Sequence, residues 1–98
     1  MKIDKNNFEQ EVLRSNKPVL LDFGAVWCGP CRMVAPLLDQ IEAERPDIKV
    51  GKIDVDEEPE LAVRFGVSSI PMLVVMKDGQ VVNAAVGARP KADILALL

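Results

Sequence analysis

Apolar positions along the chain follow two rhythms. Phe8, Val12 and Leu13 recur at helical spacing within Asp4 to Arg14, and Asp4 or Asn6 stands where a first helix would be capped. After Pro18 the pattern changes to the short apolar run Val19-Leu20-Leu21-Asp22-Phe23, closed by Gly24, which suits a strand buried on both faces. Helical spacing returns with Val34, Leu37, Leu38 and Ile41; Pro30 fits the first turn of that helix, and Pro36 lies inside it, where it should cause a kink. Ile48 to Val55 alternates as a second strand. Glu57-Glu58-Pro59 opens a short helix carrying Leu61, Ala62 and Phe65 and stopped by Gly66, with acids at the positive end of its dipole. Met72 to Met76 is a further apolar strand, and Lys77-Asp78-Gly79-Gln80 is a hairpin turn into Val81–Val86. Lys91 to Leu98 closes as an amphipathic helix.

The order is helix, strand, helix, strand, helix, strand, strand, helix, with Lys2-Ile3 a candidate extra strand. Alternating units followed by a hairpin imply an α/β fold with one mixed sheet and helices on both faces. No repeat, low-complexity tract or long linker interrupts the pattern, so residues 1–98 are expected to form a single domain with one core.

Charge narrows the partners. Twelve basic and fifteen acidic residues give a net charge of −3 with the signs mixed, which argues against nucleic acid or an anionic membrane surface. The start Met1-Lys2-Ile3-Asp4 has no apolar stretch of the kind a signal sequence needs. No apolar run approaches the roughly 20 residues needed to span a bilayer. Unless a leader has been trimmed, a cytoplasmic location is expected.

Two cysteines and no histidine exclude several chemistries together. Ser-His and Cys-His nucleophile pairs, Cys/His zinc sites and Cys-x-x-Cys-His haem attachment all need a histidine. Two cysteines cannot complete a four-ligand zinc site unless two chains share one, so no metal is expected. A cytosolic Cys-x-x-Cys is then better read as redox chemistry than as a staple, because so small a loop gives little loop-closure stabilisation. Cys28-Gly29-Pro30-Cys31 stands between a strand and a helix, with two residues spacing the sulfurs to within bonding reach. Unpaired N–H groups and the dipole at the helix start stabilise a thiolate on Cys28, the attacking species. Cys31, one turn in, is expected to be more shielded and suited to resolving a mixed disulfide.

The stretch Phe23-Gly24-Ala25-Val26-Trp27-Cys28-Gly29-Pro30-Cys31 closely resembles the active site of the thioredoxin family. The similarity runs essentially end to end, through Ala35-Pro36, Lys52-Ile53-Asp54-Val55-Asp56, Phe65-Gly66-Val67, Ile70-Pro71, Lys77-Asp78-Gly79 and Val86-Gly87-Ala88. It implies the thioredoxin fold, a mixed sheet of four to five strands flanked by four helices. It also implies Cys28 as nucleophile, Cys31 as resolving thiol, and a redox-active Cys28–Cys31 disulfide. Asp22, an acid inside an apolar strand, should have its pKa raised by burial so that it can carry a proton near neutral pH, and the resemblance implies that it helps to deprotonate the resolving cysteine. On pattern alone Asp22 could instead face water at a strand end. Lys52 matches the family's lysine near that acid and would tune it; as an isolated strand lysine it would simply be exposed. Ile70-Pro71, with Pro71 cis, would present backbone to an extended substrate peptide. Trp27, Gly29, Pro30, Val55, Ile70, Val86, Gly87 and Ala88 match the family's flat docking surface, although Val55 and Val86 read equally well as strand core. Gly24 stands where these proteins commonly carry a second Trp, and Met72 where Thr is usual.

The Gly-Pro pair between the cysteines brings no charge, so the Cys28 thiolate should be only moderately stabilised and the dithiol a good reductant. The expected activity is that of a general protein-disulfide reductase, an electron-carrying dithiol protein acting as a monomer on disulfide-containing proteins. A separate thioredoxin reductase, drawing on NADPH, would recharge it, since the chain has no nucleotide-binding glycine loop and no bound cofactor is expected. The alternatives are a disulfide oxidant or isomerase, separated by its redox potential, and a binding module without turnover, separated by whether Cys28→Ser leaves function intact.

Overall fold

Chain breakers and apolar runs set the elements. The computed structural model describes residues 1–98. Its elements are β1 (Val19–Gly24), α1 (Gly29–Glu44), β2 (Lys49–Asp54), α2 (Pro59–Arg64), β3 (Met72–Lys77), β4 (Gln80–Val86) and α3 (Lys91–Leu95), preceded by a π-helical segment at Glu9–Leu13. One sheet of four strands runs in the order β2-β1-β3-β4. β1 pairs parallel with β2, Asp22 opposite Lys52, and antiparallel with β3, Asp22 opposite Leu73. Parallel neighbours need a long crossover, which α1 supplies. β1, central in the sheet, is buried from Val19 to Phe23, as its unbroken apolar run requires.

Alternation along β1 divides the core in two. Val19, Leu21 and Phe23 join Ile53, Val74 and Met76 beneath Ile3, Phe8, Val12 and Leu61. Leu20 joins Val50, Leu73 and Val75 beneath Val34, Leu38 and Ile41 of α1 and Ile94 of α3. Helical segments therefore cover both faces. α1 continues through Pro36 to Glu44 with its buried stripe unbroken. At Gly51 a Cβ would meet Ile3 Cγ1 at 2.7 Å and Leu21 Cδ2 at 3.1 Å, so only glycine lets the N-terminal segment lie this close to β2. In the β3–β4 turn Asp78 (φ 52°) and Gly79 (φ 76°) both take the left-handed backbone that a two-residue hairpin loop demands.

Three elements differ from the sequence reading. The segment Asp4–Arg14 is not one α-helix. Asp4 Oδ1 caps a first turn by accepting from the N–H groups of Asn6 (2.8 Å) and Asn7 (3.0 Å), but the winding then widens, and Arg14 N–H donates to Glu9 O, five residues back, at 2.9 Å. This still turns Phe8 and Val12 inward. The last helix stops at Leu95 because Leu97 and Leu98 turn onto the α1-side core, their N–H groups reaching only three residues back. Lys2-Ile3 makes a single parallel bridge, Lys2 to Lys52, rather than a strand, so the sheet has four strands and three α-helices flank it. No helix is long and apolar enough to cross a membrane.

Candidate active site

The end of β1 and the head of α1 meet where the apolar strand run gives way to Gly24. Cys28 is the N-cap of α1, in extended backbone, and its Sγ accepts from Cys31 N–H at 3.2 Å. The two Cα atoms lie 5.2 Å apart and the sulfurs are joined as a disulfide. The expected difference in shielding is absent: Cys28 is 4% exposed and Cys31 6%. Both are buried, and beside Gly24, which has no side chain, Cys31 borders an open cleft, its Sγ 3.4 Å from where a Gly24 Cβ would stand.

Asp22 lies inside, 7% exposed, on the sheet face that carries α1. Its Oδ1 is buried without a hydrogen-bond partner. Burial pushes its carboxyl up and the Lys52 ammonium offsets part of the rise, leaving it at about 6 against an ordinary 3.8. The strand-end alternative, an acid facing water, is therefore not what the fold contains. Lys52, though opposite Asp22 in the β1–β2 register, gives its ammonium to Asp39 Oδ1 at 2.8 Å. That hydrogen bond holds the Asp39 carboxyl below the usual carboxylate range. Lys52 thus acts on Asp22 through space rather than by contact. Asp39 was missed in the sequence, where its only signal is its place two turns after Cys31, on the helix face turned to β2.

Trp27 is 65% exposed, and its indole N–H donates to Asp56 Oδ2 at 2.7 Å. Asp56 is the second missed contributor, since nothing in its spacing announces an indole partner. Trp27, Val55, Val67 and Ile70 line one shallow surface cleft. The Ile70–Pro71 bond is cis, and Pro71 O accepts from Gly87 N–H at 2.8 Å, which ties the Gly87-Ala88 loop to the Ile70-Pro71 loop. Gly29 and Pro30 open α1 beside the sulfurs. Val55 is half-buried against the core, whereas Val86 is 54% exposed on edge strand β4, so the strand-core alternative is wrong for Val86. No cluster of three or more Cys, Asp or Glu side chains is placed to hold a metal ion.

A joined Cys-x-x-Cys pair capping a helix, a buried acid and a cis-proline loop are one constellation. The family model described as Thioredoxin matches residues 1–98. The chain belongs to the thioredoxin family. It is 54% identical over 96 residues to a thioredoxin of Mycobacterium tuberculosis, covering 97% of this chain and 83% of the relative. It is 53% identical over 88 residues to thioredoxin 1 of Synechococcus elongatus (89% and 82% covered), and 54% over 88 residues to a thioredoxin of Listeria monocytogenes (89% and 84%). The mixed four-stranded sheet is the thioredoxin fold. The chain is a disulfide oxidoreductase with a redox-active Cys28–Cys31 centre, in a cofactor-free family whose members reduce disulfides and are normally recharged by a reductase.

Proposed function

We propose that the chain works in the reducing direction on protein disulfides, with Cys28 attacking and Cys31 resolving. The observation that carries this reading is the placement of the sulfur pair at the head of α1, with neutral Gly29 and Pro30 between the cysteines and the buried Asp22 behind them. The Cys28 thiolate attacks one sulfur of a target disulfide; the other sulfur leaves as a thiolate and takes a proton from water. Cys31 then gives its proton to Asp22 carboxylate and attacks Cys28 Sγ, forming the internal disulfide and releasing the second target thiolate. Two electrons pass from the dithiol to the target. Lys52 tunes Asp22 electrostatically, its charge shared with Asp39.

The target lies along Trp27, Gly29, Pro30 and Ile70, flanked by Pro71, Gly87 and Ala88, with the indole fixed by Asp56. The cis Ile70–Pro71 loop and the exposed Trp27, which lines one cleft with Ile70, support this placement, since such a loop can offer backbone to an extended peptide. An NADPH-dependent thioredoxin reductase restores the dithiol, and residues 1–98 act as one cytoplasmic, monomeric domain.

The reduction potential of the Cys28–Cys31 pair, measured by equilibration against defined thiol/disulfide buffers, tests the direction. A value near or below about −250 mV is expected; one above roughly −200 mV would make the chain an oxidant or isomerase instead.

A further inference from the structure

The cleft bordered by Gly24 has a volume of about 370 Å³, and it reaches both Cys31 and Asp22. None of the proposed docking residues, Trp27, Gly29, Pro30, Ile70, Pro71, Gly87 or Ala88, lines it. The cleft and the proposed docking surface therefore have no lining residue in common. Its inner end is unusual for a buried wall. A Cβ on Gly24 would stand 3.4 Å from Cys31 Sγ and 4.0 Å from the unpartnered Asp22 Oδ1, so one point in the cleft addresses both groups that handle the proton of the resolving step. Polar groups separated by more than direct hydrogen-bond distance are joined through water when space allows, and a water needs only about 30 Å³.

We propose that the Gly24 cleft is the proton exchange route of the resolving step, used while a target covers Cys28, and that Gly24 keeps it open as a positioning residue. The proposal rests on Cys31 and Asp22 acting as described under Proposed function. In the resolving step the Cys31 thiol proton moves to Asp22, the Cys31–Cys28 bond forms, and the target sulfur leaves as a thiolate. The proton on Asp22 then exits through the cleft to water or to a small weak base. Besides Asp22, five charged residues line that path. Lys52 faces Asp22 from β2 and is paired with Asp39; Arg32 of α1 gives its guanidinium to Val26 O; Lys2 and Glu57 pair with each other near Asp54. From β3 the facing residue is Leu73, which is apolar. Asp22 is the one buried charged residue of the chain, and its Oδ1 has no hydrogen-bond partner.

Stopped-flow reaction of the reduced protein with Ellman's reagent separates the two steps, because attack by Cys28 and resolution by Cys31 each release one coloured thiolate. Gly24→Ala adds a methyl at ordinary contact distance, and Gly24→Val closes more of the cleft. The first phase should be unchanged in both. The second should slow several-fold in the alanine variant and about tenfold or more in the valine variant, within the range that proton-transfer catalysis contributes. Its pH midpoint should move upward, and imidazole buffer should accelerate it in the parent but not in the valine variant. Unaltered second-phase rate, pH profile and imidazole response in a folded Gly24→Val protein would overturn the route. If valine prevents folding, the same three readouts in Gly24→Ala decide. Asp22→Asn and Cys31→Ser test the reading beneath: an unaltered second phase in either defeats the assigned roles, whereas slowing there without slowing at Gly24 defeats the route alone.

Discussion

Replacing Asp22 by asparagine removes an ionisable group from a strand interior while keeping its shape, and the cost of that group follows from its surroundings. Burial, offset in part by Lys52, raises its pKa from 3.8 to about 6, so ionisation inside the fold is roughly a hundredfold less favourable than in the unfolded chain. At about 1.4 kcal/mol per tenfold, the charged carboxyl destabilises the native state by about 3 kcal/mol. The sign is fixed by linkage. The folded-state pKa lies above the unfolded one, so the stability Asp22 confers as a neutral acid is complete below about pH 3.8 and lost as pH rises through about 6. Asp22→Asn should therefore be more stable than the parent at pH 8 by about 2–3 kcal/mol more than at pH 4. Urea unfolding of both proteins at the two pH values, disulfide intact, measures this double difference. Any constant cost of burying the new amide cancels in it. Equal effects at the two pH values would mean that Asp22 is not desolvated as described, and the account of its proton would fall with it.

Other changes have outcomes as definite. Lys52→Met should raise the Asp22 pKa further, because the ammonium that lowers it is gone, and carboxyl NMR titration of Asp22 would show an upward midpoint. Gly51→Ala should destabilise the fold by about 1–3 kcal/mol, since its Cβ must displace Ile3 and Leu21; thermal unfolding reads this. Cys31→Ser should accumulate a mixed disulfide between Cys28 and a target, visible on a non-reducing gel, and Cys28→Ser should form none.

Much of this molecule is legible along the chain, for physical reasons that differ by element. β1 and β3 declare themselves because strands buried on both faces need unbroken apolar runs, and Pro18, Gly24 and Gly79 mark their limits. The sulfur pair declares itself because two residues between cysteines, one of them proline, suit a helix start. Widened winding at Glu9–Leu13 is not legible, since the positions of Phe8 and Val12 fit an α-helix equally well. The end of α3 is hidden for the same reason: Leu97 and Leu98 are apolar for the core, whether or not the backbone still winds. Side-chain partners are the least legible. Lys52 stands opposite Asp22 in register, yet its four-carbon stem carries the charge to Asp39, and only the approach of α1 to β2 decides between the two acids. Trp27 and Asp56 likewise meet only once the end of β2 is folded beside the α1 head.

The sheet is also a partition. Alternate residues of β1 feed different apolar bodies, and the redox centre borders the α1-side body at Asp22, where the next inward position holds an acid instead of a hydrocarbon. The opposite body meets the site only at its rim: its Ile53 lines the Gly24 cleft, and Val55 and Val67, which pack against it, line the cleft beside Trp27, whereas Ile3, Phe8, Val12 and Leu61 line neither. Substitutions at sites that lie well apart and share no partners usually act additively. A lineage could therefore remodel Ile3, Phe8, Val12 and Leu61, gaining or losing heat tolerance, while the electron-transfer centre kept its setting: durability and chemistry are drawn largely from separate reserves.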